Sequence, residues 1–380
     1  MNRLSRLALL SGSLLAVALI VLIAAGTAAA AAKHTQRVNV SSAGVQADQG
    51  SASNPPAVSA NGRYVAFASS ATDLVPGDTN GFEDVFVRDR KLHETSLVSV
   101  GPGGVQGNGS SFGGSISPNG RWVAFESVAT NLTAATTGGA QNAFLRDRKL
   151  HTTSLVSVGP AGPGNGFSFD PVMSADGRYV AFDSTATNLV PHDVNGASDV
   201  FLRDRKTHKT SILSVNSAGV RGNGNSYTPS ISANGRWVAF ATDAPNLQGK
   251  GIGQYTQVVV RDRAAHKTSL VSLDTSGARG EGDSMEPVIS ANGRWVAFQT
   301  IALLVGSDGN LSYDIYLRDR TAHRTVLVSL SSAGVQGIGD SVMPGISADG
   351  RYVAFLSEAA NLVPDDTNGL QDVFVRWPLH

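Results

Sequence analysis

Ser59-Ala60-Asn61-Gly62-Arg63-Tyr64-Val65-Ala66-Phe67 is the stretch on which the fold turns. Its Asn61-Gly62 dipeptide accepts the positive φ angles of a two-residue hairpin turn, and the residues after it suit a strand. The phrase returns as Gly120-Arg121-Trp122-Val123-Ala124-Phe125 and again from Gly177, Gly235, Gly293 and Gly350, at intervals of 57 or 58 residues. Every copy is entered through Asn-Gly or Asp-Gly. A fixed period of this length, with a hairpin in each unit, marks an array in which one supersecondary unit stacks on the next.

Four strand-like runs, A to D, can be read in each unit; in the first they are 57–59, 63–69, 84–90 and 95–100. Strand B sets Val65 and Phe67 on one face and Tyr64 and Ala66 on the other, and strand C is the apolar run Val85-Phe86-Val87. Apolar residues on both faces imply a sheet covered on both sides. The blades of a propeller stack in this way, whereas a sandwich sheet with one wet face would alternate. The expected fold is therefore all-β: a six-bladed β-propeller with four-stranded blades. The sixth copy reaches only strand C, near 373–376, while Arg37-Val38-Asn39-Val40-Ser41-Ser42-Ala43-Gly44-Val45-Gln46 aligns with the D strand and following loop at Leu327-Val328-Ser329-Leu330-Ser331-Ser332-Ala333-Gly334-Val335-Gln336. The sequence thus predicts that the N-terminal strand completes the last blade and closes the ring, and that residues 33–380 form a single propeller.

Residues 1–32 read as an export signal. Two arginines lie within Met1–Arg6, an almost wholly apolar run follows to Ala25, and a small-residue stretch offers cleavage near Ala30 or Ala32. A retained anchor is the alternative, since about 20 apolar residues can span a bilayer. In both cases the remainder is expected outside the cytoplasm: secreted, periplasmic or on the cell surface. Lys plus Arg (30) balances Asp plus Glu (30), which gives no electrostatic reason to expect a nucleic-acid partner. Cysteine is absent, so disulfides, thiolate metal sites and cysteine nucleophiles are excluded together.

With these residues in view, the repeat resembles the S-x-D-G-x-x-[IV]-A-F phrase of TolB-type, WD40-like propeller repeats, in all six copies over about residues 33–380. The Gly-His and Trp-Asp pairs of true WD40 repeats are not present. The resemblance implies a propeller, and a family that includes periplasmic scaffolds and the non-catalytic propellers of some peptidases.

In a blade of this order the long B–C and D–A connections share one face, here called the top, and the short A–B and C–D turns share the other. Long loops on a rigid scaffold usually carry binding. Four residues just before strand A, Asp170, Tyr227, Asp283 and Glu286, replace less polar counterparts in other copies and are the candidate ligand-binding residues. The B–C loops repeat a D-x-N-G phrase followed by aspartate: Asp78, Asn80 and Asp84; Asp193, Asn195 and Asp199; Asp366, Asn368 and Asp372. Oxygen ligands at alternate positions before a tight turn could take calcium, although Asx-Gly is equally what a plain turn requires.

His93, His151, His208, His266 and His323 recur in the C–D turn, too far apart around a ring to share one ion. Arg88-Asp89-Arg90 and its equivalents lie beside them, and are expected to pair with Arg63-type residues within each blade. Gly109-Ser110-Ser111-Phe112-Gly113 satisfies G-x-S-x-G but lacks the strand-to-helix turn of a nucleophile elbow. The chain is expected to be a monomeric, exported, non-enzymatic scaffold that binds a protein or a cell-envelope polymer through its top-face loops. It would need no cofactor unless those loops take calcium, and would meet the membrane only if its leader is retained. A carbohydrate-active enzyme and a calcium-stabilised structural protein are the alternatives.

Overall fold

A computed structural model describes residues 36–51, 55–249 and 254–377. The expected export signal lies outside the described residues, within which no helix is long and apolar enough to cross a membrane. Residues Val38–His380 form one compact unit, and it is a β-propeller. Five antiparallel sheets have four strands each, in sequence order, and a sixth has three. Blade three shows the plan: strand A is Ser168–Met173, B is Tyr179–Ser184, C is Asp199–Asp204 and D is Lys209–Ile212. Short hairpin turns join A to B and C to D. The long loops meet at the other end, where Gln106 donates to Asp78 Oδ1 (3.0 Å) and Asn80 Nδ2 to the Gly107 carbonyl (3.1 Å).

The core lies between blades. Phe182 and Phe201 stack at 5.8 Å and pack with Ala124, Ala143 and Leu145 of blade two. Four further clusters join blades one to two, three to four, four to five and five to six. Burying one such phenylalanine contributes about 2–3 kcal/mol. The bottom of each interface is fastened by an aromatic residue of strand B. Tyr64 lies between Arg63 of its own blade (4.8 Å) and Arg148 of the next (4.7 Å), and Trp122 between Arg121 and Arg205 (4.3 and 4.0 Å). The turn glycine of the following blade sits against that ring. Gly235 has φ +70°, and a Cβ there would collide with Tyr179.

The expected Arg–Asp pairing holds in blades one to five, from Arg63–Asp89 (2.6 Å) to Arg294–Asp319 (2.6 Å). Each aspartate also accepts from the backbone of the C–D turn, as Asp89 does from Lys91 and Leu92 (2.9 and 3.1 Å). The five repeated histidines are exposed in that turn, at φ between +52° and +58°. Histidine is among the residues that tolerate this left-handed conformation.

The closure expected from the sequence is only partly described. The last sheet consists of Ser341–Ile346, Val353–Ser357 and Asp372–Arg376, and no fourth strand pairs with Asp372–Arg376 among the described residues. By the alignment of Arg37 with Leu327, that strand would fall at 34–37, and residues 34 and 35 lie outside the described residues. The tail of the segment is described, and it occupies the expected place beside blade one. Val40 bridges Gln46 as Val100 bridges Gln106. Thr95 Oγ1 donates to the Val40 carbonyl, as Thr153 Oγ1 does to Val100 and Thr325 Oγ1 to Leu273. Among the described residues, the far face of blade six is exposed. Val373 is 73% exposed where its counterpart Val200 is fully buried, and Tyr352 meets Trp377 in a tilted arrangement (6.2 Å) instead of covering a turn glycine.

Candidate site at the channel mouth

Strand A is longer than its sequence suggests. In blade three the register passes from Phe169 opposite Asp183 to Val172 opposite Ala181, so Asp170 and Pro171 form a β-bulge. Blades two, four, five and six repeat the bulge at Gly113-Gly114, Thr228-Pro229, Glu286-Pro287 and Met343-Pro344. A bulge accommodates proline because the extra residue makes no ladder bond. Asp170, Tyr227 and Glu286 therefore lie within strand A, a correction to their expected position just before it; Asp283 does precede its strand. Asp170, Thr228 and Glu286 adopt φ of +50°, +48° and +52°. Such strain in non-glycine residues gathers where the surroundings hold a side chain in a set place.

The bulges of blades two to five, with Pro55 of blade one, line a cavity of about 320 Å³ at the top end of the central channel, walled by Asp170, Thr228, Glu286, Gly113 and the bulge prolines. Two further carboxyls stand behind it. The Thr228 backbone N–H lies near the Asp183 carboxylate of blade three and favours its charged form, and Glu126 of blade two accepts the Asp170 backbone N–H at Oε2 (3.2 Å). Gln299 does the same for Met343 (2.8 Å). Burial pushes the Glu126 carboxyl up to about 7, helped by the charge of Asp170. Burial raises Asp183 well above the usual range, with Asp170 next in effect. Asp170 is open to water along the channel but has protein on its other sides, so burial raises its carboxyl too, and the same holds for half-buried Glu286. No Lys or Arg side chain bonds or pairs with any of these four among the described residues.

The other two candidate residues serve the loops. Tyr227 Oη meets Thr256 Oγ1 (3.1 Å), and Asp283 Oδ1 accepts the Thr256 N–H (2.8 Å). Asn225 and Asp340 make the contact of Asp283 in the neighbouring blades (3.0 and 2.9 Å), so that contact belongs to the repeat. Glu126 and Asp183 were missed by sequence reasoning. Their signal is the residue after the strand B phenylalanine, which runs Ala68, Glu126, Asp183, Ala241, Gln299, Leu356 through the six copies. Ser111 of the G-x-S-x-G run is buried in strand A and bonds Ser127 Oγ (2.9 Å).

In the acidic loops, hydrogen bonds engage the aspartates proposed for calcium at the start of strand C. Asn80 Nδ2 donates to Asp84 Oδ2 (2.6 Å), and Ser99 Oγ donates to Asp84 Oδ1. Asn195 repeats the contact on Asp199 (2.8 Å) and Asn368 on Asp372 (3.0 Å), while Arg221 approaches Asp193 (3.7 Å). Asp366 stands in the corresponding exposed loop. A cation at Asp84 would have to displace an amide N–H. Blades two and four carry Asn142 and Gln257 in place of Asp84, and Ser157 and Ser272 donate to them just as Ser99 does to Asp84 (2.8 and 2.7 Å). Neutral amides thus fill the same structural role. Among the described residues, no group of three or more His, Asp or Glu side chains is placed to hold a metal ion.

No family model matches the chain, and no curated protein matches it. Solved structures do. A crystal structure of TolB from Acinetobacter baumannii matches at 14% identity and a TM-score of 0.43, over 73% of this chain and 53% of that one. A putative TolB from Agrobacterium tumefaciens matches at 15% and 0.45, over 85% and 88%. An oligogalacturonate lyase in complex with manganese matches at 12% and 0.50, over 83% and 74%. The likeness is one of fold. The chain spans about half the length of the Acinetobacter protein, and at such identities a shared propeller does not carry a shared activity.

Proposed function

We propose that this chain is an exported, non-enzymatic propeller that binds a protein through its top face. The observation that carries the reading is the division of labour between its residues. Side chains repeated in the blades fasten blade to blade, while those peculiar to one or two blades converge on the channel mouth. Around that mouth the loop tips present apolar side chains to solvent: Phe82, Phe167, Val194, Leu311, Ile338 and Leu370. Apolar side chains exposed together on one face favour a protein-interaction surface.

One observation favours a second reading, a carbohydrate-active enzyme: Glu126, near 7, stands beside Asp170, and a carboxyl held protonated next to another is what glycosidic acid catalysis requires. The test is affinity capture from envelope and secreted fractions with the full-length chain, run beside a Phe82→Ser, Val194→Ser, Leu311→Ser variant. A protein retained by the parent and lost by the variant is expected. Capture of an envelope polysaccharide alone would transfer support to the carbohydrate reading, and equal capture by both chains would remove the top face as the binding surface.

A further inference from the structure

Asp170 and Glu286 line one cavity with the Glu126 and Asp183 carboxyls behind it, and among the described residues no Lys or Arg side chain pairs with any of the four. Carboxylates gathered in this way repel one another, and burial adds a desolvation cost that only an opposite charge or hydrogen-bond donors offset. A second observation marks the place as a site for a ligand. Asp183 is 4% exposed, its Oδ2 accepts from Ser198 Oγ (3.3 Å), and its Oδ1 has no hydrogen-bond partner among the described residues. Asp170 and Glu126 both act on its charge, so the Asp183 carboxyl lies near theirs. In the cavity wall, Thr228 Oγ1 is also buried without a partner. Buried polar atoms left in this state are uncommon in folded chains, and a missing ligand is one explanation.

The ligand's chemistry follows from the lining. The carboxyls are not grouped to hold one metal ion. The walls of proline, valine and glycine suit an extended, part-apolar group that carries its charge at the tip. We propose that the channel mouth receives a lysine or arginine side chain of the partner polypeptide, with Asp170 and Glu286 as the charged contacts and Asp183 Oδ1 and Thr228 Oγ1 as acceptors behind them. This rests on the protein-binding reading above and gives it a recognition element: apolar loop tips provide area, and the acidic mouth selects a basic residue. Paired, desolvated charges of this kind give specificity more than bulk affinity.

The experiment is calorimetric titration of the full-length chain with two capped peptides that are identical except that one carries arginine and the other citrulline, its neutral isostere. At low ionic strength the arginine peptide is expected to bind at least tenfold more tightly. In an Asp170→Asn, Glu286→Gln variant that preference should vanish while the melting temperature stays level or rises, since neither side chain bonds another residue. Equal binding of the two peptides, no binding of either at millimolar concentration, or an arginine preference that survives in the variant would overturn the proposal. The two readings fail separately: a protein captured through the loop tips, together with peptides that show no charge discrimination, would retire the basic side chain and leave the protein-binding face standing.

Discussion

Phe201→Ala is expected to lower the free energy of unfolding by about 3–5 kcal/mol, the usual cost of emptying a buried aromatic position. Phe201 has no exposed surface, stacks on Phe182 at 5.8 Å, and fills the seam between blades two and three against Ala124, Ala143 and Leu145. Alanines on the facing blade cannot reach into the space, so the cavity would persist. Val373→Ala in blade six provides the contrast. Its side chain is 73% exposed, and the substitution should cost within about 0.5 kcal/mol, as surface changes do. Denaturant titration of both variants checks the pair. A cost at Val373 as large as that of a buried valine would mean that the open face of blade six is covered in solution.

Gly235→Ala should be nearly as damaging, by about 2–5 kcal/mol. The left-handed backbone at φ +70° costs an alanine roughly 1–2 kcal/mol. The new methyl would also meet the Tyr179 ring, which is held between Arg178 and Arg263 (4.6 and 4.2 Å), and forced repacking adds roughly 1–3 kcal/mol. Gly62 is the internal control. It occupies the same turn at φ +68°, but a Cβ there would meet only the tip of Arg90, at 3.5 Å. Gly62→Ala should therefore show the backbone cost alone. Thermal melts that ranked the two variants equally would place an aromatic ring over Gly62, as a closed joint between blades six and one requires.

The fold was legible because its punctuation repeats. Asn61-Gly62 and its equivalents fix the A–B hairpin, and the apolar faces of strands B and C require neighbours on both sides. What stayed hidden has a local physical cause in each case. The first half of strand A reads as loop because Pro171, Pro229 and Pro287 sit inside the strand, and only the bulge makes them compatible with pairing. The D strand was expected to run to Val100, but pairing stops at Leu97 because Val100 turns back to bridge Gln106. At the candidate site, Asp170 and Glu286 stood out as departures from the repeat. Glu126 and Asp183 did not, since they follow a strand B phenylalanine in a segment whose other residues are core. Asp283 was misleading for the opposite reason: its contact with the Thr256 backbone looks singular until Asn225 and Asp340 are seen to make the same one.

The account holds that carboxylates of the repeat are engaged in building the ring, whereas those of the channel mouth are open to a partner. Carbodiimide labelling of the native full-length chain, read residue by residue by peptide mass spectrometry, addresses that claim most directly. Asp170 and Glu286 should label in the folded protein, while Asp89, Asp147 and Asp319, paired with arginine, and Asp84, Asp199 and Asp314, buried at the start of strand C, should label only after unfolding. Labelling of the repeat carboxylates as readily as Asp170, or protection of Asp170 and Glu286 in the free chain, would contradict it.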